Sequence, residues 1–177
     1  MRVVAGLHRG RRLVAPAGAQ TRPTSDRVRE ALFSVLGASV QGAHVLDLFA
    51  GSGALGIEAL SRGAASAVFV DHSAKAVAAV RANLAALGIE APVRRMGALA
   101  ALRPPPVAPY PYDLVFLDPP YRHDTELGRQ LSEALAGVLA PGARIVSESD
   151  RREPLELAFP LVDERRYGDT MIRIHEI

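Results

Sequence analysis

The stretch Val45-Leu46-Asp47-Leu48-Phe49-Ala50-Gly51-Ser52-Gly53-Ala54-Leu55-Gly56 decides the fold. A short run of branched and aromatic residues leads into three glycines at G-x-G-x-x-G spacing, and Ile57-Glu58-Ala59-Leu60 continues as a helix. That strand-turn-helix setting gives the spacing its meaning as a nucleotide-cofactor turn. Gly51 and Gly53 let the backbone turn sharply and approach a ligand with no Cβ in the way, while Gly56 lets the helix sit close to the strand. The helix then aims its first N–H groups at whatever the ligand offers. The plain alternative is a tight turn that binds nothing. Two neighbouring motifs are excluded. A P-loop needs Lys-Ser/Thr after its second glycine, where Gly56 is followed by Ile57-Glu58, and a nucleophile elbow needs G-x-S-x-G, whereas Ser52 has glycine immediately on both sides.

From this turn onward the chain alternates strand and helix, as a parallel sheet requires. The opening strand is expected at about 43–49 and its helix closes near Arg62-Gly63. A second strand covers Ala67–Asp71, a helix Ala74–Leu87 is stopped by Gly88, and a third strand spans Pro92–Met96. Pro104-Pro105-Pro106, Pro109 and Pro111 mark a surface loop. Asp113–Leu117 reads as strand four, Glu126–Leu139 as a helix, Pro141-Gly142 as a turn, and Ala143–Ser147 as strand five. Val162–Tyr167 and Thr170–His175, around Gly168-Asp169, form an antiparallel edge hairpin. Ahead of the glycine turn, Thr24-Ser25-Asp26 offers N-caps for a helix Asp26–Leu36. Its apolar face carries Val28, Ala31, Leu32, Val35 and Leu36, with Arg27, Arg29 and Glu30 off that face.

At 177 residues the chain is expected to be one domain, 1–177, able to bury roughly 70% of its unfolded surface. Residues 1–20 form a basic hairpin and loop, and 21–177 the αβ core with its leading helix. Cysteine is absent, which excludes disulfides and thiol chemistry, and the five histidines lack ligand spacing, so no metal is expected. No apolar run reaches the roughly 18 residues of a membrane span, and the start is too short and polar for a signal peptide. A soluble cytoplasmic protein is the expectation.

The formal charge of +2 is unevenly placed. Residues 1–30 carry seven arginines against Asp26 and Glu30, a net +5, leaving −3 for the rest. Two short strands, Arg2–Ala5 and Arg12–Ala15, with the loop between them present Arg9, Arg11 and Arg12. Such a hairpin suits a phosphate backbone, where arginine forks pair phosphate oxygens and release counterions. A solvated arginine-rich ribbon is the equal alternative on charge alone.

Asp71 ends strand two 20 residues after Gly51, where a carboxylate accepts both hydroxyls of an adenosine ribose. A nicotinamide dehydrogenase and a transferase using S-adenosylmethionine both present that ribose. Asp118-Pro119-Pro120-Tyr121 separates them. It follows an apolar strand directly, on the same sheet edge as the glycine turn and Asp71. The prolines remove two donors and leave carbonyls that only accept. A carboxylate and a fixed carbonyl beside an aromatic ring suit a planar base with an exocyclic amine: two acceptors take its hydrogens and the ring stacks.

These features together resemble a class I S-adenosylmethionine-dependent amino-methyltransferase. Arg22-Pro23-Thr24-Ser25-Asp26-Arg27-Val28-Arg29-Glu30-Ala31-Leu32-Phe33 and the run from Asp47 to Gly63 resemble the RsmD family, which methylates a guanine N2 in small-subunit ribosomal RNA. The resemblance covers nearly the whole chain. It implies a Rossmann-like α/β fold, a mostly parallel sheet with an antiparallel edge hairpin and a short N-terminal β-hairpin extension. It implies S-adenosyl-L-methionine as cofactor, with Asp47, Gly51 and Gly53 at its methionine end, Asp71 at its ribose, His72 near the adenine, and Thr24 in the segment over its carboxylate. Asp118, Pro119, Pro120 and Tyr121 are implied to hold the flipped guanine, and with an RNA substrate the charged hairpin is expected to bind it through Arg9, Arg11 and Arg12. The implied partner is 16S ribosomal RNA within a small subunit or assembly intermediate, met by a monomer, with no membrane and no metal. One position departs from the family pattern. After strand three an acidic or amide residue followed by Ala ordinarily touches the adenine amine, but Gly97-Ala98 stands there, so backbone groups must serve. Any one motif is shared with adenine-N6 and glutamine-N5 methyltransferases. An adenine-N6 enzyme is the nearest rival, with a nicotinamide oxidoreductase and a noncatalytic RNA-binding factor as the others.

Overall fold

Five segments rich in branched and aromatic residues lie parallel in one sheet of the computed structural model, which describes residues 1–18, 25–104, 111–119 and 125–177. They are β1 (His44–Asp47), β2 (Ser66–Asp71), β3 (Val93–Arg95), β4 (Tyr112–Leu117) and β5 (Leu139–Asp150). β6 (Leu161–Tyr167) and β7 (Thr170–Glu176) form the expected hairpin, with β7 antiparallel to both β5 and β6. The order across the sheet is β3-β2-β1-β4-β5-β7-β6. The path runs outward from β1 to β3 and then restarts at β4 on the other side of β1. Such a reversal opens a crevice at the carboxyl ends of the strands beside it.

Helix α1 (Asp26–Leu36) has the predicted bounds because Ser25 caps it, its hydroxyl accepting from the Val28 N–H. Helix α2 (Ala54–Ser61) leaves the glycine turn. Helix α3 (Ala74–Leu87) is capped by Ser73 and ended by Gly88 in the left-handed conformation. A short helix α4 (Ala98–Ala101) follows β3, and α5 (Thr125–Leu135) precedes β5. Alternation along each strand feeds two cores. Val45, Phe69, Phe116 and Val146 pack with Ile57 of α2 and Val80 of α3, whereas Leu46, Val68, Val115 and Ile145 pack with Leu131 and Leu135 of α5. No described helix is long and apolar enough to cross a membrane.

Five expectations need correction. The helix expected to reach Leu139 stops at Leu135, and Pro141-Gly142 lies inside β5 rather than before it. Tyr112 pairs with Leu139 but Leu114 pairs with Arg144, so the intervening residues bulge out. Gly142 meets that bulge with φ 74°. Turn residues in the sequence therefore mark a bulge, which uses the same backbone chemistry. β5 also continues past Ser147 to Asp150 because β7 pairs with it that far.

The N-terminal hairpin is reduced to one bridge, Arg2 with Arg12, flanked by bonds from Val3 N–H to Arg11 O and from Gly10 N–H to Val3 O. Others of its donors go to helices. Val4 and Ala5 N–H donate to the Glu58 carboxylate at 2.7 and 2.9 Å, and Val14 N–H donates to Asn83 Oδ1 at 2.8 Å. Val3 and Leu13 join the same core as Val45. Finally, Arg29 is not on an open face but fully buried, because the N-terminal segment crosses α1 there. Its guanidinium donates to the Arg2 carbonyl and to Asp26 at 2.8 Å.

Glu58 is itself buried and also accepts from Arg62 Nε at 2.7 Å. Glu58→Ala leaves two backbone donors without their acceptor and is expected to lower unfolding free energy by roughly 2–4 kcal/mol. Urea denaturation measures this; a loss below about 0.5 kcal/mol, the range of an ordinary surface change, refutes the clamp.

Candidate active site

One rule of the strands builds the site. Val45, Phe69, Phe116 and Val146 enter the core shared with α2 and α3. Two residues further along each strand direction stand Asp47, Asp71, Asp118 and Glu148. A two-residue repeat returns a side chain to the same face, so four neighbouring strands end their apolar rows in carboxylates. Register sets their heights. Asp47 is level with Phe69 and Phe116, one pleat deeper than Asp71 and Asp118. Leu117 pairs with Ser147, which sets Glu148 beside Asp118 on the next strand.

The glycine turn closes over this row. Gly51 and Gly53 have φ of 54° and 78°, values that a side chain at either position would resist. Gly56 matters for a different reason, since a Cβ on it would lie 2.4 Å from the Phe69 ring. Only glycine there lets α2 approach closely enough for the Gly56 N–H to donate to Asp47 Oδ2 at 3.1 Å. Gly51 N–H donates to Asp71 Oδ2 at 2.9 Å, and Ser73 N–H to Asp71 Oδ1 at 2.8 Å. Each Asp71 oxygen thus keeps a further lone pair, and two backbone bonds fix its direction.

The electrostatics follow from crowding. Asp47 is 2% exposed, and burial, opposed by the Gly56 bond and reinforced by Asp71, pushes its carboxyl up to about 7. Asp118 is exposed as a residue, yet its carboxyl is poorly solvated. Burial there, then Glu148, then Asp47 push it well above the ordinary carboxylate range. The direction holds at either degree of exposure, because two like charges press the same way. The row suits a ligand that brings positive charge and N–H donors.

The predicted residues divide as follows. Asp47, Gly51, Gly53 and Asp71 are joined through the turn, with Asp118 on the same rim and buried Pro119 after it. His72 is 75% exposed, its Nδ1 3.6 Å from Asp71 Oδ1. Gly97 opens α4 with no side-chain cap, beside Ala98, just after Met96 donates its N–H to Asp71 O. Thr24, Pro120 and Tyr121 lie outside the described residues. Arg9, Arg11 and Arg12 are exposed on the N-terminal segment, where Arg11 donates to Ala86 O at 2.6 Å. A groove lined by Arg2, Arg9, Arg27 and Glu30 also lies there, and none of the four carboxylates lines it.

Sequence reasoning missed Glu148 and Asn83. Glu148 lies one residue past the expected end of strand five; its signal was a charge at the alternation of Val146. Asn83, 2% exposed on α3, donates to Val14 O at 3.0 Å and to Ser52 O at 2.8 Å, joining the N-terminal segment to the glycine turn. It gave no separate signal, since an amide on a helix ordinarily faces solvent.

Comparison with known proteins shows the family. The family model described as "Conserved hypothetical protein 95" matches residues 1–176. Ribosomal RNA small subunit methyltransferase D of Haemophilus influenzae is 35% identical over 183 residues, covering 99% of this chain and 93% of that protein. The chain belongs to the RsmD family. The solved structure of yhhF from Escherichia coli, 36% identical, superposes on this RsmD-family chain with a TM-score of 0.84 over 99% of it and 97% of yhhF. The Thermus thermophilus 16S rRNA N2 G1207 methyltransferase RsmC, in complex with AdoMet and guanosine, is 22% identical with a TM-score of 0.69, covering 92% of this chain and 45% of RsmC. At that distance it shows the shared class I methyltransferase fold.

Asp47 makes the unliganded protein sensitive to pH. Its folded pKa lies above its unfolded value, so its contribution is fully present below about pH 4 and is lost as pH rises through about 7; Asp118 acts in the same direction. Between about pH 4 and 7, unfolding free energy is expected to fall by up to about 1.4 kcal/mol per pH unit through Asp47. In urea titrations at several pH values, Asp47→Asn flattens this slope; parallel slopes for the two proteins refute the assignment.

Proposed function

We propose that this rim binds S-adenosylmethionine beside a flipped guanine of small-subunit ribosomal RNA and transfers the methyl group to the exocyclic N2. One observation carries the reading. The glycine turn with Asp47 and Asp71, and Asp118-Pro119 that would receive the base, stand on one face and one rim of the sheet. Family membership supports the general activity, an RsmD-type ribosomal RNA methyltransferase.

The residues present fit the cofactor. Buried Asp47, held near neutrality with no partner charge among the described residues, suits a cationic methionine end, and Gly51 and Gly53 leave room for close approach. Asp71, fixed by two backbone donors, has lone pairs for both ribose hydroxyls. Gly97 and Ala98 offer backbone groups to the adenine, His72 borders it, and Thr24 belongs to the segment assigned to the cofactor carboxylate. When bound, S-adenosylmethionine supplies a methyl group on an electron-poor sulfonium.

The remaining chemistry belongs to this chain. A guanine amine is a poor nucleophile because its lone pair is delocalised into the ring. Asp118 and the Pro119 carbonyl accept its hydrogens, favour a more pyramidal nitrogen and orient the lone pair. Pro120 stiffens the loop and Tyr121 stacks on the base, returning roughly 1–3 kcal/mol of the few kcal/mol spent in flipping it. Arg9, Arg11 and Arg12 bind the RNA backbone. The substrate is a small subunit or assembly intermediate, met by a monomer.

Methyl transfer from labelled cofactor to small subunits lacking modification, followed by mapping of the modified base, tests this. Label at a guanine N2 is the expected outcome, with a roughly 10²–10³-fold lower rate for Asp118→Ala; label at an adenine, or none in RNA, overturns it. Replacing Arg9, Arg11 and Arg12 by Ala is expected to weaken RNA binding with a shallower salt slope. Cofactor affinity stays unchanged, because the segment is held to the body chiefly through its backbone. Equal losses in both affinities refute that division.

A further inference from the structure

We infer that Asn83, buried on α3, is a positioning residue that holds the glycine turn ready for the cofactor. This deepens the proposed function and rests on its placing of S-adenosylmethionine at that turn. The need for such a residue arises inside the turn itself. In a regular helix the Gly56 N–H would donate to the carbonyl four residues back, that of Ser52. Here it is drawn away to Asp47 Oδ2, and Asn83 Nδ2 donates to Ser52 O at 2.8 Å in its place. Across the same peptide bond, the Gly53 N–H donates to Ala50 O at 2.6 Å. The peptide between Ser52 and Gly53 is thus held at both its polar atoms, in a stretch where Gly51 and Gly53 have no side chain to pack.

Asn83 can act this way because Val14 has settled its orientation. The Val14 N–H donates to Asn83 Oδ1 at 2.8 Å, and Val14 O accepts one Nδ2 hydrogen at 3.0 Å. That reciprocal pair leaves the second Nδ2 hydrogen for Ser52 O, so both donors of the amide are used. An amide turned end for end would set its oxygen against the Ser52 carbonyl. At 2% exposure, water has little access to replace these bonds. Glycine loses more conformational freedom on ordering than any other residue, and a loop that orders only when its ligand arrives lowers affinity by that loss. With the turn ordered beforehand, the loss does not fall on binding. Asn83 bonds to the turn and to Val14, and to no residue assigned to the base, so its effect lies on cofactor affinity rather than on the methyl-transfer step.

Calorimetric titration of the full chain with S-adenosylhomocysteine, which binds without being turned over, tests this. Asn83→Ala and the near-isosteric Asn83→Leu, neither of which has a hydrogen for Ser52 O, are each expected to bind about tenfold more weakly, the scale of one hydrogen bond. With saturating cofactor and small subunits, kcat stays within about threefold of wild type, so the loss appears in KM for the cofactor. Leu84→Ala, on the same helix with its side chain in the core, removes packing without touching the turn and keeps affinity within about twofold. Wild-type affinity in both Asn83 variants, an equal loss in Leu84→Ala, or a fall in kcat with affinity intact overturns the inference. A further measurement needs no variant to fold. In the wild-type protein without ligand, the Asn83 side-chain amide protons are expected to be protected from solvent exchange; exchange as fast as that of an exposed amide also overturns the inference. No binding of S-adenosylhomocysteine by the wild type is a separate result and overturns the underlying reading of the site.

Discussion

The bond from the Gly56 N–H to the Asp47 carboxyl is the constraint on which the site depends. It requires α2 to lie against the sheet at a separation that only a glycine permits, since a Cβ at position 56 would enter the Phe69 ring. That separation sets the height of Gly53 and Gly51 above the strand ends, and so brings the Gly51 N–H to Asp71. A buried acid, a bare backbone position and an aromatic core residue are thus one mechanical unit. Burial keeps the acid near its neutral form, and the charge of Asp71 adds to the effect. The unliganded state stores unfavourable electrostatics that a cation can release.

The second organising fact is the order of the strands. Four of them end in carboxylates on one face, and α2, which connects β1 to β2, lies over those two strands on one side of the reversal between β1 and β4. Asp71 lies on one side of Asp47, with Asp118 and Glu148 on the other. A cofactor and an accepting base can therefore share the central acid without sharing their own.

Much of this was legible in the sequence. The start of α1 followed from the candidate caps Thr24-Ser25-Asp26 and the end of α3 from Gly88, whose chemistry is local. Asp47, Asp71 and Asp118 were legible because each ends an apolar run. What failed depended on partners distant in the chain. Pro141-Gly142 looks like a turn until β4 supplies the register that makes it a bulge. The end of strand five, and with it Glu148, depends on pairing with β7. Arg29 looked like an open-face charge because nothing nearby in sequence announces the segment that covers it, and the hairpin looked regular because Glu58 and Asn83, which take its donors, lie far along the chain.

Asn83 gives the N-terminal segment a role beyond carrying charge. One amide nitrogen reaches both Val14 O and Ser52 O, so the arginine-bearing segment and the middle of the glycine turn hang from a single side chain. At its other end, Met1 Sδ lies 3.7 Å from the Ser52 hydroxyl. The turn is thus held from outside the sheet as well as from within it, and whatever loosens the arginine-bearing segment loosens Ser52 with it.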